Sequence, residues 1–287
     1  LRYISDELYE ETTMKVTFYG TRGSFPVTGK EFSEFGGNTA CVLITFENGR
    51  IAILDAGTGI RKLGNDFGAR SIEQYDNIFI GLSHTHWDHI QGFPFFQPAY
   101  DPKRHFTIAI YGKGRQLNSL ETIFEAQMQR DYFPVPLDKM GATLTFWQPD
   151  LSCYTSPSGI HIISHGHNHP GGAYTYRITE GHKTLVYCTD IEHGEEIDTR
   201  IVSIARNADL LIHDAQYSSD ELKEKKGWGH SSWQQAIEVA EKAGAKRLAF
   251  FHHDPSHDDA FLSSAEKECQ ARFAGSFFAR EGREIDI

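Results

Sequence analysis

The chain has 287 residues, with 28 Lys and Arg against 39 Asp and Glu, for a formal net charge of −11. Hydrophobic residues at 39% and charged residues at 23% are ordinary globular values, so disordered and fibrous classes are excluded and the length suffices for a sizeable core. The acidic balance argues against an extended nucleic-acid surface, which needs clustered Lys and Arg, but leaves room for a small anionic substrate at a local positive centre.

In chain order, residues 1–13 read as a charged leader, too rich in Asp and Glu for a signal peptide. Residues 14–287 read as a single domain, because no repeat, low-complexity tract or linker interrupts them. Short runs of Val, Ile, Phe and Thr bounded by Gly, Asn or Asp predict strands at 15–19, 40–46, 51–54 and 77–82. Asn48-Gly49 supplies a hairpin turn between two of them. Further strands are predicted at 106–111, 143–147, 159–164, 173–178, 184–188, 210–213 and 247–251, with a turn at Gly181-His182. Helical spacing covers 115–127, 196–205, 231–243 and 258–273; Ser231 or Ser232 caps the third of these and Gly244 stops it. Strand groups with helices between them predict an α/β sandwich of two mixed sheets. No apolar run approaches the roughly 18 residues of a membrane span. Cys41, Cys153, Cys188 and Cys269 are far apart and form no CxxC, so no disulfide framework and a cytoplasmic chain are expected.

The 15 histidines are unevenly spread. Three groups stand out: His84, His86 and His89; His165, His167 and His169; His252, His253 and His257. The first sits in Ser83-His84-Thr85-His86-Trp87-Asp88-His89, directly after an apolar run. His84 and His86 share parity, so on extended backbone they point to one side, and Asp88 and His89 follow from the turn. Three imidazoles and a carboxylate suit Zn²⁺, and so short a segment serves two neighbouring ions more simply than one tetrahedral ion.

These residues resemble the metallo-β-lactamase-fold hydrolase superfamily over nearly the whole chain. Asp55, in Leu54-Asp55-Ala56-Gly57-Thr58-Gly59, matches the first motif of that family, a buried Asp supporting the metal loop. His84, His86, Asp88 and His89 match the second, His169 the third, Asp190 the fourth and His252 the fifth. The resemblance implies a four-layer αββα sandwich and two Zn²⁺ ions, with Mn²⁺ or Fe as other occupants. His84, His86 and His169 would hold one ion and Asp88, His89 and His252 the other, with Asp190 and a water or hydroxide bridging them. His165 or His167 in place of His169, and His253 in place of His252, stay open as alternatives.

His230, opening the helix at 231–243, and Asp214, closing the run at 210–213, resemble the ribonuclease Z-like phosphodiesterase branch. There such a His approaches the scissile phosphate and such a carboxylate orients it. The expected catalytic set is therefore Asp88, His230 and Asp214, with His230 as general acid. Ribonuclease Z carries a long tRNA-gripping arm between the third and fourth motifs, whereas only 21 positions separate His169 from Asp190 here. The expected activity is thus hydrolysis of a small anionic phosphodiester, a cyclic nucleotide above all, through attack by the metal-bridged hydroxide. Thioester or lactone hydrolysis of the glyoxalase II kind and cleavage of short RNA are the alternatives. The resemblance also implies a homodimer and no membrane partner. The aromatics of 90–137, with Trp87, Tyr217 and Trp228, are candidates for a pocket wall, and Arg22 for a ligand contact at the site mouth.

Overall fold

Short runs of β-branched and aromatic residues pair into two sheets. The computed structural model describes residues 14–67, 77–112 and 118–287; the leader expected over 1–13 lies outside them. The strands are β1 (Lys15–Gly20), β2 (Cys41–Thr45), β3 (Ile51–Leu54), β4 (Asn77–Gly81), β5 (His105–Ala109), β6 (Thr143–Trp147), β7 (Cys153–Thr155), β8 (His161–His167), β9 (Ala173–Glu180), β10 (Lys183–Cys188), β11 (Leu210–Asp214), β12 (Leu248–Phe251), β13 (Ser276–Phe278) and β14 (Glu284–Asp286). One sheet runs β14-β1-β2-β3-β4-β5-β6 and the other β13-β12-β11-β10-β9-β8-β7. Both are mixed. Pairs β3–β4, β4–β5, β5–β6, β10–β11, β11–β12 and β12–β13 are parallel and the rest antiparallel.

The helices are α1 (Gly59–Asp66), α2 (Trp87–Ile90), α3 (Leu120–Gln127), α4 (Thr199–Ile204), α5 (Ser219–Glu224), α6 (Trp233–Ala243) and α7 (Asp259–Arg272). On the outer face of the first sheet, α1 packs on β1 and α3 on β6; α4, α6 and α7 cover the second sheet. This is the αββα sandwich expected from the sequence. Strand parity explains the layering. In β12, Ala249 and Phe251 join the core between the sheets, while Leu248 and Phe250 join the core beneath α6 and α7. A strand buried on both faces reads as a continuous apolar run, as Leu248-Ala249-Phe250-Phe251 does.

Local chemistry sets the helix ends. Ser232 makes a reciprocal capping box with Gln235, and Gly244 stops α6 in the left-handed region at φ 66°. Asp198 and Asp258 cap α4 and α7. Of the helix expected at 115–127, the part from Leu120 is present with Ser119 as cap; 113–117 lie outside the described residues. The strand expected at 159–164 continues to His167, because β9 offers pairing partners up to Ala173. The three-residue strands β7, β13 and β14 were not expected; at that length no alternation shows. Among the described residues no helix is long and apolar enough to cross a membrane.

Candidate metal centre

The site forms where strands of both sheets end. Asp55 follows β3, the Ser83–His89 loop follows β4, Asp190 follows β10, Asp214 closes β11 and His252 follows β12. Asp55, Asp190 and His252 have φ of 59°, 54° and 66°. Non-glycine residues rarely adopt that left-handed conformation, and it concentrates at functional sites. Here it turns each side chain off its strand end toward a common centre.

Two donor sets stand side by side. His84, His86 and His169 form one; Asp88, His89, Asp190 and His252 form the other, each with donor atoms within 4.8 Å of one another. Nε2 of His169 lies 3.0 Å from Nδ1 of His86. In the second set Nε2 of His89 is 3.3 Å from Nε2 of His252, 3.2 Å from Asp88 Oδ2 and 3.2 Å from Asp190 Oδ1. Asp190 reaches both sets, since its Oδ2 is 3.8 Å from Nε2 of both His84 and His169.

Three of the rings are anchored on their far side. His89 Nδ1–H donates to Asp55 Oδ2 (2.8 Å), His169 Nδ1–H to the Gly229 carbonyl (2.9 Å) and His252 Nδ1–H to Gln216 Oε1 (3.0 Å). Each leaves Nε2 facing the centre, the tautomer control typical of metal-binding histidines. Burial, then the neighbouring His89, holds His84 well below pH 6.5, so its ring is neutral. Its buried Nε2 has no hydrogen-bond partner among the described residues. Burial alone would lower His89, yet Asp190, Asp88 and Asp55 raise it well above 6.5. An orphaned buried nitrogen and a ring driven toward its cation mark a site that demands positive charge. The imidazole and carboxylate donors of these sets fit divalent metal ions.

His230 stands beside this centre. Its Nδ1–H donates to Asp214 Oδ2 at 2.8 Å, and its ring stacks on His252 at 5.0 Å. Burial would lower its pKa, but Asp214, then Asp190 and Asp88, outweigh that and raise it to about 9.

His84, His86, Asp88, His89, His169, Asp190, His252, His230, Asp214 and Asp55 thus lie at one locus, and the open alternatives separate. His167 is drawn into holding Asp190: its Nε2–H donates to the Asp190 carbonyl at 3.0 Å. His165 joins neither set, and His253 turns away to donate to the Ala279 carbonyl at 2.9 Å. Arg22 is a correction. It is fully buried rather than at the site mouth, donating to the carbonyls of Gly36, Asp254 and His257. The two residues after it do reach the site. Gly23 backs so closely on the His252 ring that a Cβ would lie 2.3 Å from Nδ1, and the Ser24 amide donates to Asp88 Oδ2 at 2.8 Å. Tyr217 is also buried, edge-on to His230, whereas Trp87 and Trp228 are 78% and 60% exposed. Sequence reasoning missed Ser24, Gln216, Tyr187, whose hydroxyl donates to Asp55 at 2.7 Å, and Glu192. Only Gln216 carried a signal, sharing parity with Asp214 two residues before it.

Known proteins resemble this chain in sequence and in fold. Residues 50–253 match the family model described as beta-lactamase superfamily domain. The ribonuclease Z of Haloarcula marismortui is 24% identical over 285 residues, covering 84% of this chain and 86% of that one. YhfI, a metallo-beta-lactamase fold protein of Bacillus subtilis, is 27% identical over 270 residues, covering 91% of this chain and 95% of that one. Its crystal structure superposes with a TM-score of 0.69 over 96% of this chain and 100% of that one. The crystal structure of human tRNase Z, short form, shares the fold at 18% identity, with a TM-score of 0.65 over 95% of this chain and 98% of that one.

Proposed function

The chain belongs to the beta-lactamase superfamily, and from that premise we propose that it is a dizinc phosphodiesterase of small substrates, cyclic nucleotides above all. The observation that carries the reading is a buried, carboxylate-held His230 beside two contiguous donor sets. Zn²⁺ held by His84, His86 and His169, and by Asp88, His89 and His252 with Asp190 between, would polarise a phosphoryl oxygen and supply a water-derived nucleophile at neutral pH. The chain's own groups perform the rest. Asp214 accepts a hydrogen bond from Nδ1–H of His230 and so leaves its Nε2–H free to face the leaving oxygen. An alkoxide is a poor leaving group, and protonation by a positioned acid is worth about 10²–10⁴ in rate. The Asp214 carboxylate on Nδ1 favours the charged imidazolium, the form that donates. Asp55, Gln216 and the Gly229 carbonyl hold His89, His252 and His169 in the tautomers that face inward. Asp88 is steadied by the Ser24 amide.

The short connection between His169 and Asp190 favours a small substrate. Between His169 and Asp190 the chain forms the β9–β10 hairpin, turning at Gly181 (φ 55°), and no arm projects there. The same reading carries a homodimer in a cytoplasmic setting. The test is hydrolysis of a cyclic-nucleotide panel by zinc-loaded protein, with His86→Ala as the control. Turnover that survives that substitution unchanged would overturn the assignment. Cleavage of short RNA is the second reading, favoured by the name of the Haloarcula relative. It requires oligonucleotide binding that weakens steeply with salt, and weak or absent binding at low salt would dismiss it.

A further inference from the structure

We infer that Trp228, held by Glu192 beneath Lys225, is the stacking platform that selects a nucleobase on the substrate; this rests on the phosphodiesterase reading above. Trp228 leaves a large apolar ring 60% exposed two residues from His230. The turn carrying it is not loose. Glu192 Oε1 accepts the Gly227 amide at 2.7 Å and Oε2 the Gly229 amide at 2.8 Å, so one carboxylate grips both sides of the tryptophan. Glu192 is itself tied to Asn168, the neighbour of His169, by two hydrogen bonds of 3.0 and 3.1 Å. Gly229 has φ 92°, and a Cβ there would lie 2.2 Å from Nδ1 of His169. The turn therefore abuts the histidine centre, and its aromatic ring is exposed.

Lys225 lies with Nζ 4.6 Å from the Trp228 ring centroid, a cation–π contact. In a chain of net charge −11, this puts a cation and a flat ring together beside the general acid. A nucleobase stacks on such a ring whatever its identity, and the cation favours a phosphate-bearing ligand. A rigid exposed ring also stacks without first being ordered, so little of the interaction is lost to entropy.

The test compares wild type, Trp228→Ala and Trp228→Phe, all zinc-loaded. One arm measures kcat/KM on a cyclic nucleotide against base-free ribose cyclic phosphate. The other measures binding of adenosine monophosphate against ribose 5-phosphate by calorimetry. Trp228→Ala is expected to cut the preference for the base-bearing member by about tenfold in both arms, with Trp228→Phe restoring most of it. Equal losses on the base-bearing and base-free members would overturn the platform. So would an unchanged preference accompanied by loss of a dimer in sedimentation, which would make the ring an interface residue. If wild type hydrolyses neither diester yet binds adenosine monophosphate in a Trp228-dependent way, the phosphodiesterase reading falls and the platform stands. Efficient hydrolysis with no preference for a base does the reverse.

Discussion

Replacing Asp214 by Asn exchanges one oxygen for an NH₂ and alters what His230 can do. Asp214 accepts four hydrogen bonds. Oδ2 takes His230 Nδ1–H (2.8 Å) and the Asp190 amide (3.1 Å); Oδ1 takes the amides of Ser231 (2.8 Å) and Gln216 (3.3 Å). An amide side chain accepts at one of those ends only. With its oxygen kept for Ser231 and Gln216, its NH₂ faces the His230 ring, which responds by presenting Nδ1 as a lone pair and staying neutral. The rise of His230 from 6.5 to about 9 corresponds to roughly 3 kcal/mol in favour of the imidazolium, and Asp214 is its main source. Loss of the acid should lower kcat by about 10²–10⁴ on a diester that departs as an alkoxide. A p-nitrophenyl diester, whose leaving group needs no proton, should lose about tenfold or less. The assay is steady-state kinetics on both substrates from neutral to alkaline pH, with metal content measured alongside. The wild-type rate on the alkoxide substrate should fall at alkaline pH, as the acid deprotonates. Equal losses on both substrates, or metal lost with the substitution, would refute the reasoning and make Asp214 a ligand or a structural support.

Three further outcomes are expected. His84→Ala should reduce bound metal by at least one ion per chain in elemental analysis and lower hydrolysis by more than about 100-fold, since even groups behind a ligand cost 10–100-fold. Asp55→Asn keeps a residue that tolerates φ 59° but leaves some of the buried donors Ser83, His89 and Tyr187 unpaired. It should cost about 3–5 kcal/mol and lower Tm by roughly 10 °C, and a Tm within about 2 °C of wild type would contradict the role. In chelated protein the raised pKa of His230 contributes stability that is fully present below pH 6.5 and lost as pH rises through about 9. Urea midpoints should therefore decline over that window in wild type and decline less in Asp214→Asn.

What could be read locally and what could not divide along a physical line. The Ser83–His89 loop announced itself, because several donors of both sets lie within six residues of one strand end and parity alone aims His84 and His86 to one side. The cap of α6 and the buried run of β12 were legible for the same reason: a turn of chain carries the whole signal. Asp190 and His252 were different. Each is a single residue after a strand; Asp190 was singled out only by family resemblance, and His252, though in a histidine group, was chosen over His253 only by it, and neither is a glycine that would have announced its positive φ. Arg22 was misplaced because a charged residue in a glycine loop reads as exposed; two of the three carbonyls that accept from it, those of Asp254 and His257, lie more than 230 positions away.

From the residues alone came the kinds of element, their approximate bounds, the two-sheet class and the histidine loop, since period and capping are properties of neighbours. Folding alone decided the strand order and the meeting of His252 with Asp88 across 164 positions. It also decided the grip of Glu192 on the turn that carries Trp228. Those contacts depend on which strands pair across the whole chain, a choice made by the burial of both sheets at once rather than by any segment within them.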